Sequence, residues 1–143
     1  MKYKDYDIFL MNSAEDKKKF YAEMGEFFVR ADVRKDLDGY PLNNTDERLW
    51  YVAYCHDKPI GFRSFEIHGE KAEYGDAWVD PEHRGKSLYN KMLELSIAYT
   101  KDHGAKYINA IGNANSTPAL KKHGFEIYRK RGRFNYMRLV VGE

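Results

Sequence analysis

The 143 residues suit a single domain, residues 1–143, that buries about two-thirds of its unfolded surface. With 32% charged and 43% hydrophobic residues the composition is that of an ordinary globular protein, and no apolar run nears the roughly 20 residues of a membrane span. The lone Cys55 excludes an internal disulfide, and between Tyr54 and His56 at the end of an apolar run it reads as core rather than as a nucleophile. A net charge of +2 is the remainder of two unequal parts: residues 1–80 hold 12 Lys and Arg against 17 Asp and Glu, residues 81–143 hold 12 against 5. Either two surfaces are solvated differently, or an anionic ligand meets the second part and a cationic one the first. Met1–Asp7 has no signal-peptide core, so the expected location is the cytoplasm.

Lys4–Met11 opens as a strand. Ser13, with an acid three residues on at Asp16, has the form of an N-cap, and Phe20, Met24, Phe27 and Phe28 give an amphipathic helix over 14–30. Residues 31–47 read as a short helix and then an irregular loop holding Gly39 and Pro41. Leu49–Cys55, Ile60–Ile67 and Ala72–Val79 form three consecutive antiparallel strands around turns at Asp57-Lys58-Pro59 and His68-Gly69-Glu70-Lys71. Leu88, Met92, Leu95 and Tyr99 mark a helix from Lys86 to His103, which Gly104 ends. A strand at Lys106–Ile111 follows, then a short helix at Thr117–His123 with Pro118 in its first turn. Phe125–Lys130 and Phe134–Val141 close the chain as a hairpin. This order predicts a mixed α/β sheet with helices on both faces.

The stretch from Val79 to Tyr89 carries the most chemistry. An apolar strand ends at Pro81, a basic turn Arg84-Gly85-Lys86 follows, and a helix begins at once. Free backbone N–H groups, the positive end of the helix dipole and two cationic side chains converge there, which makes a site for a phosphate-bearing ligand.

Three features of the chain resemble the GNAT superfamily of acyl-CoA-dependent N-acetyltransferases. One is the segment Val79-Asp80-Pro81-Glu82-His83-Arg84-Gly85-Lys86; another is Asn113 followed eleven residues later by Gly124-Phe125; the third is the element order. The resemblance implies a mainly antiparallel sheet of about seven strands, splayed between the fourth and the fifth. It implies acetyl-CoA, or another short acyl-CoA, as cosubstrate and an amine-bearing acceptor, with the amine attacking the thioester directly. Backbone N–H groups around Arg84, Gly85, Lys86, Ser87, Leu88 and Tyr89 would hold the pyrophosphate, the strand ending at Trp78 and Val79 would bond the pantetheine arm, and Asn113 would complete the cofactor site.

The chain departs from the family's pattern at three positions. Ser87 replaces a glycine of the pyrophosphate loop, Tyr89 replaces its final small residue, and Leu120 stands where many members carry a tyrosine that protonates the departing thiolate. The proton donor would then be Ser116, Tyr128 or water. For the base that deprotonates the amine the candidates are Glu73 and Asp76, with Glu66 a third choice. Burial in a strand would raise such a carboxyl's pKa; the alternative is a surface pair.

No pair among His56, His68, His83, His103 and His123 has the spacing of metal ligands, so no metal is expected. Trp50, Tyr51, Tyr54 and Trp78 are either core or walls of an acceptor pocket. The basic run Arg129-Lys130-Arg131-Gly132-Arg133 reads as a solvated hairpin turn in preference to a nucleic-acid contact. Loss of the tyrosine also raises a rival in a different class, a non-catalytic module that binds acyl-CoA or a partner. Monomer and homodimer are both compatible with the sequence.

Overall fold

In the computed structural model, which describes residues 1–142, the chain opens with a hairpin of β1 (Lys2–Tyr3) and β2 (Tyr6–Asn12). A continuous strand through Lys4 is ruled out because Lys4 has a φ of +52°, in the left-handed region, and turns the chain back. This adds an eighth strand to the seven expected.

Helix α1 (Lys17–Val29) buries Phe20, Met24 and Phe27 along one face. Its N-cap is Asp16, whose carboxylate accepts from the Lys19 N–H at 3.0 Å, rather than Ser13. Ser13 is fully buried, and its hydroxyl accepts from Asn44 Nδ2 at 2.7 Å. α2 (Ala31–Asp36) follows directly. The loop at 37–48 is irregular but anchored: Leu42 is buried in the core, and Asn44 also donates to the Tyr21 hydroxyl and accepts from Trp50 Nε1 at 2.9 Å. β3 (Leu49–Cys55) pairs antiparallel with β2 from Asp7↔Tyr54 to Asn12↔Leu49. The turn into β4 (Lys58–His68) lies at His56 and Asp57, both at positive φ, one residue earlier than expected, so Pro59 falls inside the strand.

β5 (Lys71–Val79) leads into a 3-10 turn (Pro81–His83) and then α3 (Leu88–Asp102). β6 (Tyr107–Gly112), α4 (Thr117–Lys122), β7 (Glu126–Arg131) and β8 (Phe134–Val140) complete the chain. Strand order in the sheet is β1-β2-β3-β4-β5-β6-β8-β7. β5 and β6 run parallel from Lys71↔Tyr107 to Tyr74↔Ala110, and β5 then continues five residues past the last pair. β8 pairs antiparallel with both β6 and β7.

The chain divides into two compact units. The first, Met1–Ser64 with Asp76–Met92, has a core of Phe20, Met24, Phe27, Val33, Leu42, Trp50, Val52, Tyr54, Phe62 and Trp78. Phe62 is fully buried, with ring centroids of Phe27, Trp50 and Trp78 at 5.2, 5.6 and 6.3 Å. Burying a side chain of this size contributes about 1.5–3 kcal/mol, so the aromatic cluster carries much of this unit. Trp50, Tyr54 and Trp78 therefore serve as core rather than as pocket walls.

The second unit, Phe65–Gly75 with the chain from Leu93 onward, buries Leu93, Ile108, Leu120, Phe125 and Met137. Its buried polar groups are satisfied: the Tyr74 hydroxyl and Thr100 Oγ1 lie 2.7 Å apart, and Thr100 donates to the Ser96 carbonyl. Among the described residues no helix is long and apolar enough to cross a membrane.

Candidate functional site

All of the turn after β5 belongs to the first unit. Asp80 Oδ1 accepts from the Glu82 N–H at 3.0 Å and starts the 3-10 turn, while the Asp80 N–H donates to the Ile60 carbonyl at 2.8 Å. Gly85 and Ser87 then take φ values of +79° and +65°. The two left-handed residues swing the backbone into the first turn of α3, whose first hydrogen bond runs from the Lys91 N–H to the Ser87 carbonyl at 2.9 Å. From Gly85 to Asn90 no backbone N–H has an acceptor among the described residues. A depression of about 280 Å³ is lined by Val79, His83, Arg84, Gly85, Ser87, Leu88, Tyr89 and Asn90. A row of open N–H donors at the start of a 15-residue helix, facing a depression of this size, suits an anionic group.

The basic side chains differ in how they are held. Arg84 is bound by the protein: Nε donates to the Val79 carbonyl at 2.8 Å, and Nη2 donates to Asp36 Oδ2 at 2.7 Å. Lys86 extends its ammonium to 6.0 Å from the Tyr6 ring, and its carbonyl accepts from Lys4 Nζ at 3.0 Å. The Tyr6 hydroxyl and His83 Nδ1 share a hydrogen bond of 2.9 Å. The N-terminal hairpin thus braces the turn through two contacts that span about eighty residues of sequence.

Asp36 is the partner that sequence spacing does not reveal. It ends α2 and accepts at one oxygen from both Arg84 and the Trp78 indole, the latter at 2.9 Å. The Arg84 hydrogen bond, reinforced by that of Trp78, holds its carboxyl below the usual carboxylate range. Tyr89, bulkier than the small residue of the resembled pattern, has its ring 4.9 Å from the guanidinium of Arg63, which is 3% exposed. The face of Tyr89 is therefore packed on a buried cation inside the protein.

Of the candidate bases, Asp76 and Glu66 are partly buried, and Glu66 lies 3.6 Å from His68 Nε2. Burial pushes the Asp76 carboxyl above the usual range, opposed by the charges of Arg48 and Arg63, and the Ser64 hydroxyl donates to its backbone carbonyl at 3.3 Å. Glu73 faces the other way on the strand: it is exposed and paired with Lys71 at 3.0 Å.

In the second unit Asn113 and Ser116 hold each other. Asn113 Oδ1 accepts from the Asn115 and Ser116 N–H groups, both at 2.9 Å, and from Ser116 Oγ at 3.2 Å, while Ser116 Oγ accepts from the Asn113 N–H at 3.0 Å. Together they build the entry to α4, and the Ser116 hydroxyl proton is directed at Asn113. Leu120 is 2% exposed and packs in the core. Tyr128 is half exposed and carries the Arg138 guanidinium 4.7 Å from its ring.

The model of the acetyltransferase (GNAT) family matches residues 16–125. An uncharacterized N-acetyltransferase of Methanocaldococcus jannaschii is 26% identical over 95 residues, a match that covers 59% of this chain and 42% of that protein. The chain thus spans less than half the length of this curated relative. The structure of an acetyltransferase of the GNAT family from Streptococcus pneumoniae superposes with a TM-score of 0.74 at 16% identity, covering 95% of this chain and 100% of that one. A PaiA N-acetyltransferase from Thermoplasma acidophilum, in complex with coenzyme A, gives a TM-score of 0.64 at 16% identity over 94% and 98% of the two chains. At such identities the structural likeness is one of fold.

Proposed function

The chain belongs to the GNAT family of acetyltransferases, and on that premise we propose that it transfers an acetyl group from acetyl-CoA to a primary amine by direct attack. The observation that carries this reading is the unpaired N–H row from Gly85 to Asn90 lining the depression after β5. In this reading those N–H groups hold the pyrophosphate, Lys86 adds a cation, and Arg84 shapes the turn from behind. In the same reading the pantetheine arm runs along the backbone of Trp78 and Val79, at the end of β5.

Asp76 takes the proton of the arriving ammonium, directly or through one water. The freed amine forms the new C–N bond, the thioester C–S bond breaks, the electron pair leaves on the thiolate, and the nitrogen sheds its second proton to solvent water to give the neutral amide. Leu120 has no ionisable group and Ser116 directs its proton at Asn113, so Tyr128 or water protonates the thiolate. No covalent enzyme intermediate is needed, and positioning of the two substrates supplies most of the acceleration.

Calorimetry of the purified protein with acetyl-CoA tests the cofactor part. Saturable binding is expected, weakened at least about tenfold by Arg84→Glu, which places a second carboxylate against Asp36. Absence of coenzyme A affinity in the wild-type protein refutes it.

Leu120 favours one second reading, an acyl-CoA-binding module that does not turn over. A screen of amines, polyamines, aminoglycosides and lysine peptides for thiol release decides between the two. Release above the rate without acceptor rejects the module.

A further inference from the structure

Helix α2 is fastened at both ends to the segment that carries the cofactor turn, by charges of opposite sense. At its N-terminal end Arg30 lies 4.9 Å from the Trp78 ring and 3.7 Å from Asp80 Oδ2. At its C-terminal end the carboxylate of Asp36 receives Trp78 Nε1 and Arg84 Nη2 on one oxygen, at 2.9 and 2.7 Å. Arg84 in turn donates through Nε to the Val79 carbonyl, the last residue of β5. The guanidinium is thereby fixed at two of its nitrogens across the start and the middle of the turn. Of the two left-handed residues that follow, Gly85 has no side chain and the Ser87 hydroxyl has no hydrogen bond among the described residues.

We propose that Asp36 is a positioning residue for the cofactor site: through Arg84 it fixes the turn that presents the N–H row, and it couples α2 to that turn. The inference rests on the acyl-CoA reading above. Asp36 touches neither the depression nor the reacting atoms. Its effect is to keep one backbone conformation from Val79 to Ser87, so that the N–H groups need no reordering when the anion arrives. Because the same carboxylate ends α2, a change at the turn is also felt by residues 31–48, the segment that precedes β3.

The test is a double-mutant cycle on coenzyme A affinity, measured by calorimetry well below the unfolding transition of every variant. Asp36→Ala removes the charge and both acceptor contacts and should weaken binding about tenfold. Asp36→Asn, which keeps an acceptor oxygen and the fold, should weaken it less, because a charge-assisted bond is about twice as strong as a neutral one. Arg84→Ala should cost about as much as Asp36→Ala, and the pair together little more than either alone. A merely structural Asp36 lowers the melting temperature and leaves the affinity unchanged. Unchanged affinity in both Asp36 variants, or full additivity with Arg84→Ala, overturns the proposal while the acyl-CoA reading stands. Failure of the wild-type protein to bind coenzyme A overturns both.

Discussion

Ser87 occupies a backbone conformation that favours glycine, and Ser87→Gly should stabilise the protein. Its φ of +65° places a Cβ in the left-handed region, at a cost of roughly 1–2 kcal/mol for a residue other than glycine. Glycine relieves that cost and loses roughly 0.4–1 kcal/mol through the greater freedom of its unfolded chain. The Ser87 hydroxyl has no partner among the described residues, so its removal forfeits no hydrogen bond, and the Ser87 carbonyl still accepts from Lys91. The net gain is about 0.5–1 kcal/mol, or a melting temperature about 2–4 °C higher for a chain of this size. Urea titration should show a higher midpoint at unchanged slope. Ser87→Ala, which keeps the Cβ, should leave stability nearly unchanged, and Ser87→Val should lower it. A Ser87→Gly protein less stable than the wild type by about 0.5–1 kcal/mol, the cost of glycine in regular structure, refutes the argument.

Asp76→Asn should lower kcat about 10²-fold or more if Asp76 accepts the amine's proton. Burial raises its carboxyl above the usual range, so the base form appears only above that value: kcat/KM of the wild type rises with pH through it and then levels. The variant should lose this limb, and Glu73→Gln should retain it; a limb that survives Asp76→Asn assigns the base elsewhere. Gly112→Ala should destabilise by about 1–3 kcal/mol in chemical denaturation, because the added Cβ lies 2.6 Å from Thr117 Oγ1 and 3.1 Å from Met137 Sδ. Wild-type stability in that variant contradicts the close packing of β6 on α4.

Local pattern and long-range partnership were not equally readable. Phe20, Met24 and Phe27 recur at helical spacing, and α1 buries them on one face. The basic turn before α3 is likewise contiguous in sequence, and it opens where the apolar run ends. Period two was also there to separate the candidate bases: Asp76 alternates with Tyr74 and Trp78, both buried, whereas Glu73 lies on the opposite face.

Other features depend on what arrives from elsewhere. Ser13 has the chemistry of a cap, yet Asn44 claims its hydroxyl and Asp16 caps the helix instead. Asp36 is one of several acids in a polar stretch, and only the fold brings it to Arg84, 48 residues on. The hairpin at Lys4 rests on a positive φ at a lysine, and Asp5 beside it is the one local sign of a turn.

The two tryptophans of this chain occupy unequal electrical surroundings, and this equips the protein with an optical gauge. Trp50 is fully buried with its N–H on the neutral amide of Asn44. The Trp78 N–H rests on a carboxylate, with guanidinium groups 4.9 and 6.0 Å from its ring. Emission from Trp50 should stay constant, while that of Trp78 should respond to displacement of the Arg84–Asp36 pair that its N–H and ring touch. In a Trp50→Phe protein the remaining indole reports turn movement as it happens, on a stopped-flow timescale and without an attached dye.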